Sequence, residues 1–301
     1  MESNGNHCEK TVISASRRTD VPAFYMPQFM EVVRRGYFSV KNPFSGTTRV
    51  ASAKPDYVHS IVFWSKDYTR FLSKEYGERL MDMGYRLFFQ FTVNSHVLIL
   101  EPGLPQLVRR LKQFRQLGEL HSPEAVTWRF DPVCFFRQAD TNGNMHDNLG
   151  EFETIARVAA DAGITRCITS FTDLYGKVMK RLAKHDELKL SDPSLERKRE
   201  VLARMAEKLF KLNIALFTCC EKELISGPDA VTGVSPSACI DHDLLMKLYG
   251  PGLSRKRDRG QRASKGCQCQ ESFDVGDYTA HPCYHRCLYC YANPAPEIAP
   301  V

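Results

Sequence analysis

Short runs of apolar residues alternate along the chain with longer stretches in which apolar residues recur every three or four positions. The short runs are rich in β-branched and aromatic residues and predict six strands, namely Thr11 to Ala15, Ser60 to Trp64, Leu87 to Val93, Ala125 to Phe130, Arg166 to Phe171 and Ile214 to Cys219. The longer period predicts helices over residues 104–117, 149–163 and 194–212.

Strands that alternate with helices are typical of βα units around a parallel sheet. The sequence therefore predicts an α/β fold, a partial TIM-like barrel of six βα units with a cysteine-rich, metal-binding C-terminal extension. The predicted division is a tail over residues 1–10, the barrel over 11–250, and a basic loop with an iron–sulfur segment over 251–301.

Composition indicates a soluble protein of enzyme size, with 301 residues of which 43% are hydrophobic and 25% charged. No apolar run approaches the roughly 20 residues of a membrane span. Because no N-terminal apolar segment with a cleavage site is present, we expect a cytoplasmic, reducing environment in which cysteines more often bind metal than form disulfides.

The net charge of +6 comes partly from one basic stretch, residues 254–262. Such a stretch can contact nucleic-acid phosphates, but it is short and lacks interleaved aromatic residues. The alternatives are a solvated loop, or cations that offset the negative charge of nearby thiolates and of a cofactor carboxylate.

The chain's last nineteen residues contain Cys283, Cys287 and Cys290 in the order C-x-x-x-C-x-x-C. Three thiolates on one short loop can bind three irons of a four-iron cluster and leave the fourth iron open to a substrate or cofactor. A zinc site completed by His281 or His285 is the alternative, since zinc needs four ligands in a tetrahedral cage.

Further cysteines precede this loop, and they are Cys219, Cys220, Cys239, Cys267 and Cys269. So many thiols suit two metal centres better than one zinc ion. The remaining cysteines, Cys8, Cys134 and Cys167, show no metal spacing and are expected to be ordinary buried thiols.

Each predicted strand ends in polar residues, and in barrels of this kind the chemistry gathers at the carboxyl ends of the strands. The candidates are Arg17, Arg18, Asp20, Lys66, Thr92, Asn94, Arg129, Asp131, Asp173 and Glu221. Arg129 and Asp131 are two apart and therefore lie on the same side of their strand. For each residue, a capping or salt-bridge role is the alternative.

Several motifs carry a family resemblance, namely ISASRRTDVPAFY, KNPF, FW-x-K-(D/N), R-x-DP, T-C-x-E, S-x-CID and the closing QR-x4-C-x-C...C-x3-C-x2-CYAN. Together they resemble an uncharacterised, mainly microbial family, a domain of unknown function sometimes labelled as similar to spore photoproduct lyase. Its C-terminal cysteines resemble the cluster motif of radical S-adenosylmethionine (radical SAM) enzymes. The resemblance covers nearly the whole chain and implies an iron–sulfur protein without a known substrate.

The resemblance implies that Cys283, Cys287 and Cys290 hold an open four-iron four-sulfur cluster that binds SAM. Cys219, Cys239, Cys267 and Cys269 match the family's other cysteine positions and could hold a second iron–sulfur cluster or a structural metal, with Cys220 able to replace Cys219.

On this hypothesis the strand-end residues bind cofactor and substrate. Arg17, Arg18, Lys66 and Arg129 bind anionic groups, because guanidinium and ammonium groups pair with carboxylate and phosphate. Asp20, Asp131 and Asp173 bind ribose hydroxyls or orient the arginines, Thr92 and Asn94 line the cofactor site, and Glu221 binds the amino group of SAM.

The expected partners are an unknown substrate and an electron donor such as flavodoxin or ferredoxin. Two other classes of function are compatible with the same residues. One is an iron–sulfur electron-transfer or redox-sensing protein without SAM chemistry. The other is a zinc-stabilised protein that binds or repairs nucleic acid.

Overall fold

A computed structural model of the chain describes residues 9–41, 45–139, 143–260 and 262–295. Within these ranges the strands are β1 Thr11–Ala15, β2 Tyr37–Lys41, β3 Thr48–Ser52, β4 Val58–Ser65, β5 Leu87–Thr92, β6 Val126–Val133, β7 Phe135–Gln138, β8 His146–Asp147, β9 Arg166–Phe171, β10 Leu188–Ser191, β11 Ala215–Thr218, β12 Val234–Pro236 and β13 Phe273–Asp274. Cys8, residues 42–44 of the KNPF motif and Gln261 lie outside the described residues.

The helices lie between these strands. They are α1 Val21–Phe24, α2 Met26–Arg35, α3 Thr69–Ser73, α4 Tyr76–Asp82, α5 Leu107–His121, α6 Phe152–Asp161, α7 Gly176–Leu182, α8 Leu195–Phe210, α9 Lys222–Ile225 and α10 His242–Tyr249. No helix in the described ranges is long and apolar enough to cross a membrane.

Eight strands form one parallel sheet in the order β12-β11-β9-β6-β5-β4-β1-β13. The predicted α/β class is therefore confirmed, and all six predicted strands are present with ends that differ by at most three residues. The three predicted helices correspond to α5, α6 and α8. The seven other strands were not predicted, and β13 comes from the segment after residue 250.

Successive residues of each strand face opposite sides of the sheet, as pleating requires. On β9, Cys167 belongs to the main apolar core on one face of the sheet. Ile168 lies beside other cysteines on the opposite face, which is called the inner face below. The main core is aromatic on β4 and β5, where Phe63 and Phe89 stack with ring centroids 6.1 Å apart and neither side chain is exposed. Burying a side chain of this size contributes roughly 1.5–3 kcal/mol to stability.

The inner face is apolar at one end, where α10 packs against the sheet. Leu245 of α10 contacts a cluster that includes Val12, Val62 and Phe88. Asp241 begins this helix by accepting a hydrogen bond from the Leu244 N–H at 2.9 Å, which satisfies one of the free donors of the first turn.

The segments beside the two edge strands meet across the inner face. Ile240, which follows β12, accepts a hydrogen bond at 3.0 Å from the backbone N–H of Gln270, which precedes β13. The Gln270 side chain in turn accepts the His242 N–H at 2.6 Å. No strand pairing joins β12 to β13 in the described parts of the chain, so the fold is an eight-stranded parallel α/β sheet and a barrel is not confirmed.

His121 places a half-buried imidazole against the main core. Its ring lies 4.7 Å from that of Phe89, and both ring nitrogens are buried without a partner among the described residues. Burial lowers the pKa of His121 from 6.5 to about 4. As the pH falls below 6.5 the unfolded chain takes up this proton first, so the stabilisation present above pH 6.5 is lost between pH 6.5 and 4.

The protein loses stability as the pH falls from 7 to 4. In His121→Leu we expect this loss to be smaller by about 2 kcal/mol, a value discounted for the partial exposure of the residue. Urea unfolding at several pH values measures this loss. His185→Leu, at a partly exposed position that pairs with Glu187 at 3.0 Å, is the comparison and should change the pH dependence by under about 0.5 kcal/mol. An unaltered pH dependence in His121→Leu contradicts the prediction.

Candidate functional site

The loop over residues 283–290, called the triad loop below, carries Cys283, Cys287 and Cys290. It lies against residues 97–104, which follow β5, and Leu288 donates its backbone N–H to the Leu100 carbonyl at 2.9 Å. Both Leu100 and Leu288 belong to a second apolar cluster, separate from the main core. The triad loop is thus fixed at the carboxyl end of the sheet by backbone pairing and by apolar burial.

The three thiols of the triad loop are electrostatically linked, with Cys287 buried and Cys283 and Cys290 half-buried. Burial raises the pKa of Cys287 well above its usual value, and the charges of Cys290 and Cys283 raise it further, while Lys66 opposes the shift. Burial also raises the pKa of Cys283, with Asp20 and Cys290 adding to the effect. Without a cation the triad is therefore neutral, and a bound metal centre has to displace the thiol protons.

Arg181 of α7 holds the end of the triad loop through hydrogen bonds to backbone carbonyls. Its guanidinium donates to the carbonyls of Leu288 and Cys290 at 2.9 and 2.8 Å and to that of Ala292 at 3.3 Å. Its charge also acts on the thiol of Cys290. This role was not predicted, because Arg181 lies in a helix with no motif around it.

A buried polar network joins the triad loop to the strand ends. Lys66 donates to Glu101 at 2.8 Å and to the Tyr289 hydroxyl at 2.9 Å. Tyr289 also donates to Glu101 and receives a hydrogen bond from the Asn94 amide at 3.1 Å. Burial would raise the pKa of Glu101, but the positive charges of Lys66 and Arg110 outweigh it and lower that pKa. Lys66 and Asn94 were predicted site residues, whereas Glu101 was not.

Asp20 links three elements of the fold beside this network. Its carboxylate caps α1 through the Ala23 N–H at 2.9 Å, accepts the Ser65 hydroxyl and the Lys66 N–H, and pairs with the His285 ring at 2.7 Å. One residue therefore ties β1, β4 and the triad loop together. The contacts of Asp20 fit the capping and bracing alternative of the sequence analysis.

Arg17 and Arg18 lie around Asp274 of β13. Arg17 donates its backbone N–H to Asp274 at 2.8 Å and its guanidinium to Asp258 at 3.1 Å, and Arg18 lies 3.8 Å from the Asp274 carboxylate. One terminal nitrogen of Arg17 is buried without a partner among the described residues. That nitrogen is available for an anionic group.

Five cysteines lie together on the inner face of the sheet, and this group is called the thiol ring below. Its members are Cys219, Cys220, Cys267, Cys269 and Cys239. The sulfur of Cys219 lies 3.7 Å from those of Cys220 and Cys239. Cys239 donates its backbone N–H to the sulfur of Cys269 at 3.2 Å, and the thiol of Cys267 acts electrostatically on those of Cys269 and Cys220, so the five thiols are linked in a ring. All five thiols are free of disulfides.

Arg129 and Asp131 connect the thiol ring to the end of β6. The Arg129 guanidinium is 3.1 Å from the sulfur of Cys239 and is paired with the Asp131 carboxylate, as expected for residues on one side of a strand. Asp131 also accepts the Ser170 hydroxyl, and its N–H donates to Asn94 at 2.9 Å. The residue pair therefore lies between the thiol ring and the polar network of the triad loop.

The remaining predicted residues are Asp173, Glu221 and Thr92, and each has a different environment. Asp173 pairs with Arg262 and with Lys265 at 3.0 Å. Glu221 accepts the Phe171 N–H at 2.8 Å, and burial raises the pKa of its carboxyl to about 7. Thr92 is half-buried at the end of β5, where it pairs in register with Arg129.

Most cations of the basic stretch, residues 254–262, have partners within the chain. Arg255 pairs with Asp243 at 2.9 Å, and Lys256 lies 3.5 Å from Glu9. The charge of Arg262 acts on Cys220 and Cys219. This last contact matches the expectation that the stretch offsets thiolate charge.

The donor sets fit metal centres in their chemistry. Among the described residues, no group of three or more Cys, His, Asp or Glu side chains has an arrangement that could hold a metal ion as it stands. In their chemistry, however, the three thiols beside Lys66 and the five thiols beside Arg129 are soft, anion-forming ligands next to compensating charge. Two such groups of cysteines suit iron or zinc.

Residues 12–292 match the family described as Domain of unknown function (DUF1848), and the chain belongs to this family. No curated protein matches the sequence. Among solved structures, the chain is similar to a sugar phosphate isomerase/epimerase from Parabacteroides distasonis ATCC 8503, with 10% identity, a TM-score of 0.32, and 95% of this chain and 92% of that chain covered. A likeness this low carries no inference about function.

Gly103 makes the close contact between residues 97–104 and the triad loop possible. Its N–H donates to the His285 carbonyl at 3.0 Å, and a Cβ built on it would lie 2.7 Å from that oxygen and closer still to the carbonyl of Tyr284. We expect Gly103→Ala to displace the triad loop with the fold retained and, on the iron–sulfur hypothesis, to lower iron incorporation at least about fivefold.

Iron and sulfide analysis with circular dichroism tests this prediction. Gly150→Ala is the matched control, because a Cβ there meets nothing within 4 Å. Normal iron content in Gly103→Ala contradicts the expected displacement.

Proposed function

We propose that the protein is an iron–sulfur enzyme of the radical SAM type, in which Cys283, Cys287 and Cys290 hold an open four-iron cluster. The observation that carries the proposal is the triad loop itself, in which buried Cys287 and half-buried Cys283 and Cys290 are electrostatically linked at the carboxyl end of a parallel sheet. Cys134 packs in the same apolar cluster, but its sulfur is engaged by the Thr172 hydroxyl at 3.0 Å. Three ligands for four irons leave one iron open.

With SAM on the open iron, such a cluster supplies one-electron reductive cleavage that yields a 5'-deoxyadenosyl radical. The chain's own residues bind, orient and exclude water. Lys66 and Arg181 place positive charge beside Cys287 and Cys290, which favours the thiolate form that iron requires.

Glu101 is the better candidate for the amino group of SAM than Glu221. Glu101 contacts Tyr289 of the triad loop, and its second carboxylate oxygen is buried without a partner among the described residues. Glu221 is instead hydrogen-bonded to β9 beside the thiol ring. The proposal therefore moves this role to Glu101.

Substrate and the rest of SAM belong, on this proposal, to the inner face at the carboxyl ends of the strands. Arg17 has an unpaired buried nitrogen there, and Arg129 with Asp131 lies on the same face. Guanidinium groups in such positions suit carboxylate or phosphate. Arg18, Thr92 and Asp173 stay weaker candidates, because Asp173 is matched by surface cations and the others have no unpaired buried atom among the described residues.

The electron would come from an acidic donor such as a flavodoxin or ferredoxin. An open groove of about 540 Å³ lies directly outside the triad loop, with Leu288 in its wall. Arg181, Lys184 and Arg286 line this groove against one acid, Glu187. Its positive charge supports docking of an acidic partner next to Cys287.

Anaerobic purification with iron, sulfide and zinc analysis tests the proposal, followed by paramagnetic resonance of the reduced protein with and without SAM. A spectral change on adding SAM is expected. Iron and sulfide without a response to SAM would favour electron transfer or redox sensing, and zinc alone would overturn the radical SAM assignment.

A further inference from the structure

One pair of sulfur atoms in the thiol ring, from two distant parts of the chain, already has the separation of two ligands to one ion. Two sulfurs bound to the same zinc at about 2.3 Å in tetrahedral geometry lie roughly 3.8 Å apart. Cys219 and Cys239 lie 3.7 Å apart although they are twenty residues apart in the chain. In a four-iron cluster each thiolate binds a different iron, which sets the ligand sulfurs further apart.

The surroundings of the thiol ring are built for negative charge. Arg129 points its guanidinium at the sulfur of Cys239 and is itself only 6% exposed. Arg17 acts electrostatically on Cys269, and Arg262 acts on Cys220 and Cys219. Each of these arginines already pairs with at least one aspartate, and a tetrathiolate zinc site, with a net charge of about −2, would give them a further counter-charge.

The thiol ring also lies where the two edges of the sheet meet. Cys219 follows β11, Cys239 follows β12, and Cys267 and Cys269 precede β13. The Cys239 N–H donates to the sulfur of Cys269 at 3.2 Å, so the contact already exists across the gap. An ion bound here would join the two edge strands of an open sheet.

We propose that Cys219, Cys239, Cys267 and Cys269 bind one zinc ion as a closed tetrathiolate site that ties β12 to β13. Binding forms four zinc–sulfur bonds and releases the protons of those thiols that are still protonated. Cys220 is the spare member, because Cys219 has its sulfur 3.7 Å from that of Cys239, whereas no such contact joins Cys220 to Cys239 among the described residues. The site is independent of the triad loop and of any SAM chemistry.

The test uses the full chain with Cys283→Ser, Cys287→Ser and Cys290→Ser, so that the triad cannot contribute. Anaerobic titration with Co²⁺ follows the visible absorption of tetrahedral thiolate coordination, and Zn²⁺ is then added. We expect one Co²⁺ per chain, its displacement by Zn²⁺, and a higher melting temperature with zinc bound. Adding Cys269→Ser should weaken Co²⁺ binding at least about tenfold, whereas adding Cys220→Ser should not.

Three outcomes would overturn the zinc site. They are no Co²⁺ uptake, iron with sulfide bound by the triad-free chain, and equal losses from Cys220→Ser and Cys269→Ser. If the triad-free chain does not fold, the unaltered chain and its Cys269→Ser variant are titrated side by side, and the variant should bind one Co²⁺ fewer. Failure of the triad to bind iron leaves this result unaffected, so the two proposals fail separately.

Discussion

Cys287→Ser should lose the iron and sulfide of the triad loop, with iron content falling at least about tenfold after anaerobic reconstitution. Cys287 lies between Cys283 and Cys290 in the sequence. Its side chain is buried, and the charges of both other cysteines act on it. A cluster held by three thiolates has one protein ligand per bound iron. A serine hydroxyl is a harder and far less acidic ligand, so two thiolates are left to hold the whole cluster. The response of the resonance spectrum to SAM should disappear with the iron.

Cys167→Ala is the matched control for this loss. Cys167 is equally buried, but it faces the main core on the side of β9 that points away from the thiol ring. Its replacement should lower stability without changing iron content or the response to SAM. If Cys287→Ser keeps its iron and sulfide while Cys167→Ala behaves as expected, the triad is not the cluster site.

The sheet could be predicted where its strands are buried on both faces. Such strands are short runs rich in apolar, aromatic and β-branched residues, as at Leu87–Thr92 and Arg166–Phe171, and the local sequence is enough to predict them. Val234–Pro236 and Phe273–Asp274 have three and two residues, too short for any period. They are strands only because the rest of the chain supplies an edge to pair with.

The candidate site divides in the same way. The triad loop is local, since its cysteines are three and four residues apart, and the sequence was sufficient to single it out. Glu101 and Arg181 became part of the site only through folding, because one follows a strand by several residues and the other lies on a helix. An acidic residue in a loop that is otherwise apolar around Leu100 was the one available signal for Glu101.

Lys66→Met is expected to lower the free energy of unfolding by about 3–5 kcal/mol, the cost of leaving one partner of a buried ion pair without the other. Glu101 is only 2% exposed as a side chain and lies 2.8 Å from the Lys66 ammonium. Burial alone would lower the pKa of Lys66, but the carboxylate outweighs it and the pKa is raised. Lys66 is therefore charged in the folded protein, and its loss leaves the Glu101 carboxylate with the Tyr289 hydroxyl and the Asn94 amide as neutral donors and with the more distant charge of Arg110.

Urea unfolding of three variants separates this electrostatic cost from lost packing. Lys66→Met combined with Glu101→Gln removes both charges and should recover more than half of the stability, since a neutral amide is cheaper to bury than a carboxylate. Lys211→Met breaks the exposed pair with Glu207, in which both side chains are 68% exposed, and should cost under about 0.5 kcal/mol. A loss in Lys66→Met no larger than that of Lys211→Met would mean that the buried pair does not fix the triad loop. A double variant as unstable as Lys66→Met would assign the loss to packing and hydrogen bonds around Tyr289 and not to the unpaired charge.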